Sequence, residues 1–421
     1  MTFQEDKAFL TRLFDAAVAA ADPKLALASA LPKPPKGRTI VIGAGKGAAQ
    51  MAAAFEDLWP TPVEGVVVTR YGYTAPTRSI RVMEASHPVP DEAGAKATQA
   101  LFEAVADLGP DDLVVALICG GGSALLPAPP AGMTLADEAA LNECLLASGA
   151  PISVMNAIRK QVSTIKGGRL AAAAHPARVV SLVVSDVPGD DPAQVASGPT
   201  VPDSVTRADA LNHIAAYGIA LPQKIRDHLA SDNGHPPLPD DPVFADNEVH
   251  VIASARLSLE AAARLASSEN VPPVILSDAI EGEARDVGKV HAAIAREVRQ
   301  SGRPFCPPVV ILSGGETTVT IQNPGGRGGR NTEFLLAFAG GIQGQHITAL
   351  AADTDGIDGS ENNAGAFADG STWSRIRAAG QDPAALLAAH DAWGAFDNIG
   401  DIFAPGPTGT NVNDFRAILI R

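Results

Sequence analysis

The sequence predicts an α/β protein of two domains. Three observations carry that prediction. Short apolar runs such as Thr39-Ile-Val-Ile42, Leu113 to Ile118 and Val179 to Val184 alternate with stretches of helical period. Several of these runs empty into glycine turns that open a helix, the signature of a βαβ unit and a parallel sheet. The pattern weakens after Pro202 and restarts at Val249. The expected division is residues 1–240 and 241–421, with the Pro- and Asp-rich piece 231–242 as the linker by composition.

The elements follow in order. Residues 3–21 read as an amphipathic helix with Phe9, Leu13, Ala16 and Ala17 on one face. Strand 39–42 runs through Gly43-Ala-Gly45-Lys46-Gly47 into a helix from Ala48 to Leu58, and Val66 to Val68 is the next strand. A helix from Glu92 to Leu108 precedes strand 113–118, which ends in Cys119-Gly120-Gly121-Gly122-Ser123. After a helix at 135–147, Met155, Ile158, Val162 and Ile165 make a helical stripe that Gly167-Gly168 should stop. On that helix Arg159, Ser163 and Lys166 would share a face. Strand 179–184 leads to a loop with Ser185, Asp186, Asp190, Asp191 and Ser197. The second half continues with strands at 249–253, 273–276, 309–312, 347–351 and 417–420, and helices at 255–267, 284–300 and up to Phe338. Gly314-Gly315 followed by the alternating Thr317 to Ile321 reads as a hairpin.

Composition narrows the function. Hydrophobic residues make up 46% and charged residues 19%, which is ordinary for a globular chain, and the scarcity of aromatics at 5% implies Ala/Val/Leu-packed cores. The net charge of −15 argues against nucleic acid, whose phosphates need a basic face. Three cysteines, Cys119, Cys144 and Cys306, give neither a disulfide framework nor a metal spacing, which fits a cytoplasmic protein. The acid-bearing N-terminus does not read as a signal peptide, and no apolar run approaches the ~20 residues of a membrane span.

The chemistry sits at the strand ends, where α/β sheets bind ligands. Lys46 lies in a glycine turn at a helix start, where the helix dipole disfavours a cation unless an anion joins it. Gly120, Gly121, Gly122 and Ser123 form a second cradle of the same kind. Arg327 and Arg330 sit in the loop Gly325-Gly-Arg-Gly-Gly-Arg330, where a guanidinium can clamp a phosphate or carboxylate. Asp353, Asp355 and Asp358 follow a strand, a placement that suits Mg²⁺ better than an EF-hand loop. Gly43-x-Gly45-x-x-Ala48 also matches part of a dinucleotide fingerprint; Thr69-Arg70 stands where NAD binding wants an acid, while Arg70 could meet the 2′-phosphate of NADP.

Together these segments resemble the class II glycerate 2-kinase family, whose C-terminal region is called MOFRL and some of whose members carry the name hydroxypyruvate reductase. The resemblance rests on GAGKGA at Gly43, SHPVPD at Ser86, CGGGSALL at Cys119, NAIRKQVSTIKGGRLA at Asn156, SDVPGDDPAQVASGPT at Ser185, SGGETTVTI at Ser313, GGRGGRNTE at Gly325, DTDGIDGS at Asp353 and GPTGTNVND at Gly406. These run in family order over nearly the whole chain; Gln161 and Pro405 are the departures, where the family often has His and Thr.

The resemblance implies a Rossmann-like N-terminal domain, a mixed-sheet C-terminal domain with its MOFRL-type region at 305–415, and a cleft between them. It also implies ATP- and Mg²⁺-dependent phosphorylation of D-glycerate to 2-phosphoglycerate, with D-glycerate and ATP as the small-molecule partners and a homodimer allowed. The expected catalytic set is Lys46, Arg159, Lys166, Asp186, Asp190 and Arg327 or Arg330, with Asp186 or Asp190 as the base. The nucleotide-facing set is Gly43, Gly45, Gly120, Gly121, Gly122, Ser123, Gly314, Gly315, Glu316, Asn331 and Asn411. The expected metal ligands are Asp186, Asp191, Asp353, Asp355 and Asp358. The rivals are an NAD(P)H-dependent hydroxypyruvate reductase using the Gly43 turn, and a non-catalytic binder of sugar acids on the same cradles.

Overall fold

In the computed structural model the described residues are all but Met1, Asp232, Asn233 and residues 322–324. They divide into two compact units, Pro23–Ile252 and the discontinuous set Met1–Asp22 with Ala253–Arg421.

The first unit is built on a sheet of order β3-β2-β1-β4-β5-β6. Its strands are β1 (Thr39–Ala44), β2 (Glu64–Arg70), β3 (Ile80–Ala85), β4 (Leu113–Ile118), β5 (Arg178–Val184) and β6 (Glu248–Ala253). The first five pair in parallel throughout. This is the strand order of the doubly wound dinucleotide-binding sheets, with the reversal between β1 and β4. Both central strands are buried along their whole length, which explains their uninterrupted Val/Ile/Leu runs. One core joins Ile40, Ile42, Val114, Ala116 and Val179 to Leu101 of the helix Glu92–Ala104 and Leu170 of the short helix Arg169–Ala173. Close approach of the strands fixes one glycine: a Cβ on Gly43 would lie 2.6 Å from the Leu117 carbonyl oxygen.

The second unit carries a mixed sheet of order β13-β12-β11-β14-β9-β7. Its strands are β7 (Pro273–Ser277), β9 (Val309–Gly315), β11 (Ile347–Asp353), β12 (Gly365–Asp369), β13 (Ile402–Phe403) and β14 (Asp414–Ile420), with the pair β8 (Gly282–Glu283) and β10 (Thr317–Thr318) beside it. Only β7 and β9 are parallel in the main sheet; β14 is antiparallel to both β9 and β11. Alternate residues serve opposite faces. Val310, Leu312, Leu350 and Phe415 pack on Phe9, Leu13 and Phe14 of the helix Phe3–Ala20 and on Leu259 of the helix Ala255–Ser268. Val309, Ile311, Ala349 and Ile418 pack on Ala292 and Ala295 of the helix Ala284–Ser301 and on Phe334 and Phe338 of the helix Arg330–Gly341.

Three expectations need correction. The boundary at 240 does not follow the structure, because the apolar face of the first helix is consumed by β11 and the helix Ala255–Ser268. The chain therefore begins in the second unit and enters the first at Pro23. Asp232 and Asn233 of the expected linker lie outside the described residues, and the nearby Gly234 carbonyl accepts a bond from Arg169 within the first unit. The Gly314-Gly315 hairpin is absent. Both glycines lie inside β9 opposite Phe415 and Asp414, and Thr317–Thr318 pairs in parallel with Gly282–Glu283 instead. Gly315 has φ +120, and a side chain there would collide with the Ile280 backbone. None of the described helices is long and apolar enough to cross a membrane, and all three thiols are free.

One buried histidine gives the second unit an acid limit. His291 sits between the Val287 carbonyl at 2.9 Å and Ser313 Oγ at 3.2 Å, and burial, with Arg416 nearby, lowers it to about 4. A histidine lowered in the folded state binds fewer protons than its unfolded counterpart between those two values. Stability from it is therefore intact above about 6.5 and is lost as the pH falls toward 4. Between pH 7 and pH 5 the loss should be about 2 kcal/mol. Urea titrations of wild type and His291→Gln at both values read it: the pH increment should shrink in the variant, and an equal increment in both would refute the assignment.

Candidate active site

The carboxyl ends of the first sheet gather the residues that the sequence singled out, and some that it did not. Lys46 follows β1, Arg70 ends β2, His87 follows β3, Gly120 to Ser123 follow β4, and Asp186 follows β5. Because the strands are adjacent and parallel, these positions fall side by side. The packing is close: a Cβ on Gly121 would lie 3.0 Å from Lys46 Cγ and 3.2 Å from His87 Nε2, and one on Gly120 would collide with the Asp186 carboxylate. Gly121 adopts φ +81, a left-handed conformation that a residue with a side chain resists.

The two glycine turns differ in what they have left to offer. In the first, the Gly45 N–H donates to the Val68 carbonyl at 3.1 Å, Lys46 N–H to the Gly120 carbonyl at 2.8 Å, and Gly47 N–H to Cys119 Sγ at 3.2 Å. A side chain on Gly45 would collide with Cys119. Gly43 and Gly45 are therefore packing glycines, and the expectation that they bind a nucleotide is corrected: their turn has no row of free amides for a pyrophosphate. In the second turn neither Gly120 nor Gly121 N–H has a partner in the turn and loop hydrogen bonding among the described residues. The Lys46 ammonium likewise has no ion pair or hydrogen bond among the described residues, so it is an available cation of this corner.

The helix expected through Ile165 is the helix Ile152–Gln161, which ends at Val162, so Ser163 and Lys166 leave its face. Lys166 is 2% exposed; it donates to Glu138 at 2.8 Å and to the Leu126 carbonyl at 3.0 Å. It is an internal ion pair and drops out of the phosphate-holding set. Arg159 is mostly buried and donates to Asn142 at 2.8 Å and Asn156 at 3.1 Å. Asn156 in turn accepts from Ser197 at 3.0 Å, and Ser197 meets Ser123 at 2.9 Å. Arg159 thus acts through this chain as a brace for the glycine turn. Ala196, Ser197 and Gly198 all have positive φ, of 53, 60 and 60, and such strain persists only where surroundings over-determine the backbone. Asp190 is also left-handed at φ 56, while Asp191 caps Ala193 N–H at 3.0 Å.

In the second unit, the two loop arginines separate. Arg330 donates through Nε to Asp414 and through Nη2 to Asp353, both at 2.6 Å, with Glu316 at 3.6 Å. Burial works against its charge, but Asp414 and Asp353 hold it protonated. Arg327 is 52% exposed, stacks 4.3 Å from the Trp393 ring centre and lies only loosely, at 3.9 Å, by Asp391. Asn331 serves Asp414 at 2.9 Å. Asn411 accepts from Asn413 N–H at 3.0 Å, a turn bond, and Gly314 and Gly315 are held in β9 as described. The sequence missed Asp414 and Arg416, a fully buried ion pair 2.5 Å apart; their signal was two charges alternating in a strand that is otherwise apolar.

The aspartates of 353–358 do not form a cation cage. Asp358 is 1% exposed and accepts from Asn331 N–H, Thr332 N–H and Thr332 Oγ1, each at 2.9 Å, so it caps the helix Arg330–Gly341. Asp355 accepts from Ile357 N–H at 2.8 Å in a turn of its own. Asp353 is bound to Arg330, and burial first, then Asp355 and Asp414, raises its pKa. Among the described residues no cluster of three or more His, Cys, Asp or Glu side chains is placed to hold a metal ion. Asp353, Asp355, Asp358 and Asp191 are thereby corrected as a ready-made metal set. Asp186, beside Lys46 and the open glycine turn, remains the carboxylate placed to meet a cation that arrives on phosphates.

Comparison with known proteins shows the family of the chain. A model described as a domain of unknown function, DUF4147, matches residues 9–230, and the MOFRL family model matches residues 309–414. An Agrobacterium vitis protein with the provisional name hydroxypyruvate reductase is 54% identical over 98% of this chain and 94% of its own. The D-glycerate 2-kinase of Thermotoga maritima is 39% identical over 94% of each chain. The crystal structure of glycerate kinase from Thermotoga maritima superimposes with a TM-score of 0.90 at 36% identity, covering 99% of this chain and all of that one.

Proposed function

The chain belongs to the glycerate 2-kinase family that carries the MOFRL domain, and from that premise we propose that it transfers the γ-phosphoryl group of ATP to the 2-hydroxyl of D-glycerate. The observation that carries the reading is the corner formed by Lys46, the open Gly120-Gly121 turn and Asp186 at adjoining strand ends. Phosphoryl transfer needs position and charge neutralisation more than covalent chemistry. Lys46 faces the transferring group, and the N–H groups of the glycine turn donate to its oxygens. Asp186 takes the proton of the attacking hydroxyl as the new O–P bond forms and the bond to ADP breaks. Asp190, the alternative base, sits further along the same loop.

A magnesium ion would come with the nucleotide, and Asp186 would be the residue to hold it. Mg²⁺ keeps most of its shell as water and phosphate oxygen and needs only one or two carboxylates, a demand that Asp186 meets and a pre-built cage does not. It would neutralise charge on the phosphates. D-glycerate and MgATP are then the partners, in the cytoplasm.

In the second unit we assign anion binding to Arg327 and a supporting role to Arg330. Arg327 is exposed and weakly held; Arg330 is spent on two carboxylates. Arg327→Ala should cut kcat/KM roughly a hundredfold at unchanged Tm. Arg330→Ala should destabilise by about 3 kcal/mol, because Asp353 is left buried without its cation and Asp414 keeps only Arg416 as a cation. Reversed phenotypes would exchange the assignment.

The decisive assay follows ADP release with D-glycerate and identifies the product by ³¹P NMR. The reading expects 2-phosphoglycerate. Oxidation of NAD(P)H with hydroxypyruvate and no ADP release would overturn it. The reductase name of the Agrobacterium relative would require a pyrophosphate on the Gly43 turn, whose Gly45, Lys46 and Gly47 N–H groups are already engaged.

A further inference from the structure

Lys46 is not alone in lacking a counter-charge. The side chain of Arg70, at the end of β2, makes no ion pair or hydrogen bond among the described residues, and its Nε is buried without a partner. Its guanidinium lies 3.5 Å from the centre of the Tyr73 ring. Tyr73 is fixed in turn by Gln50, which donates to its carbonyl at 3.2 Å. A stacked guanidinium keeps its in-plane edge free, the edge that matches a carboxylate through two parallel hydrogen bonds. Two carboxylates near the ends of β2 and β3 are committed elsewhere, while Asp186 stands across the corner against Gly120: Glu84 accepts from Gly72 N–H at 2.7 Å, and Asp91 from Tyr71 Oη at 2.8 Å and Gly94 N–H at 2.9 Å.

His87 completes the corner. Its Nε2 and the Lys46 side chain both lie close to the Cβ position of Gly121, and neither ring nitrogen has a partner among the described residues. Burial first, then the charges of Lys46 and Arg70, lowers it to about 4. It is therefore a neutral donor beside two cations, able to bind an oxygen without adding charge. In a chain of net charge −15, whose other buried lysines of this unit, Lys160 and Lys166, each hold a carboxylate, two unspent cations on adjoining strand ends describe a place for an anion from outside.

We propose that Arg70 and His87 read the carboxylate of the acid substrate, leaving Lys46 to the phosphoryl group. The proposal rests on the kinase reading above. It makes Arg70 the specificity-determining residue: it separates a 2-hydroxy acid from the corresponding neutral polyol or aldehyde. A phosphate of the nucleotide is the competing oxyanion, and the kinetics tell the two apart.

The test is steady-state ADP release by wild type, Arg70→Gln, Arg70→Lys and His87→Gln, with D-glycerate and ATP varied separately and D-glyceraldehyde as the acceptor without a carboxylate. Arg70→Gln should raise the KM for D-glycerate roughly fiftyfold, the loss of a two-bond charged contact, while the KM for ATP stays within twofold. Arg70→Lys should recover only part of this, and His87→Gln should raise the same KM roughly fivefold. Discrimination of D-glycerate over D-glyceraldehyde should fall in Arg70→Gln. Tm should hold, since Arg70 ties no other element together. A rise in the KM for ATP instead would move Arg70 to the nucleotide and overturn the proposal, as would no change in either KM. Wild-type protein that releases no ADP with D-glycerate would instead sink the kinase reading itself.

Discussion

Lys46→Ala should lose roughly a thousandfold in kcat while melting at the wild-type temperature. The magnitude is that of removing one charged group from a phosphoryl-transfer site. The unchanged stability follows from the structure: Lys46 has no carboxylate partner, so its removal leaves no buried charge behind. Its backbone contacts, the N–H to Gly120 and the carbonyl to Thr69, are kept by alanine. Turnover with D-glycerate and ATP, read beside a thermal melt, checks both halves. Activity within tenfold of wild type would remove Lys46 from the mechanism. A lower melting temperature would show instead that the ammonium supports the fold.

Lys166→Ala should show the opposite pattern. Its ammonium and the Glu138 carboxylate are 2% and 5% exposed and meet at 2.8 Å. Truncating one member strands the other, at a cost of about 3–5 kcal/mol. Glu138 also accepts from Ala128 N–H at 3.0 Å, and the Lys166 ammonium from its side donates to the Leu126 carbonyl, so the segment that follows the open glycine turn loosens too. The double variant Lys166→Met, Glu138→Gln should regain most of the loss, because no charge is then left alone. Urea midpoints of the two variants measure the difference. A single variant as stable as wild type would mean that the pair adds nothing; a double variant as weak as the single would place the cost in packing rather than charge.

These two lysines show what the sequence could and could not deliver. Both stand beside glycines in runs that carry polar chemistry. Lys46 was legible because strand, glycine turn and helix are contiguous, so its place at a strand end follows from local order alone. Lys166 was misread because Val162 and Ile165 continue an apolar period that the backbone abandons at Gln161; the two residues are core residues reached by a turn. Its partner Glu138 is distant in sequence, and no periodicity announces such a pair.

The same contrast holds elsewhere. β1 and β4 were visible as apolar runs, and β5 as one broken only by Ser181. β3 was missed because an edge strand with Arg81 and Glu84 in it looks like a loop. Asp358 has the spacing of a ligand but the position of a cap, a distinction set by the helix Arg330–Gly341 packing against it. In the sequence Arg70 reads as an obstacle to NAD or as a partner for the 2′-phosphate of NADP. That it is a cation without a counter-charge depends on which carboxylates nearby are already taken, and that is a property of the folded neighbourhood.

The split of the second unit along the chain has a consequence for how the protein is made. The segment Phe3–Ala20 leaves the ribosome well before its partners, since the surfaces that bury Phe9, Leu13 and Phe14 are supplied by residues 255–268 and by β9, β11 and β14. At translation speeds of about 5–20 residues per second it waits on the order of tens of seconds for them. Through that interval an apolar helix travels without its groove, and trigger-type holding chaperones or premature self-association compete for it, whereas residues 23–252 can close on themselves as they emerge.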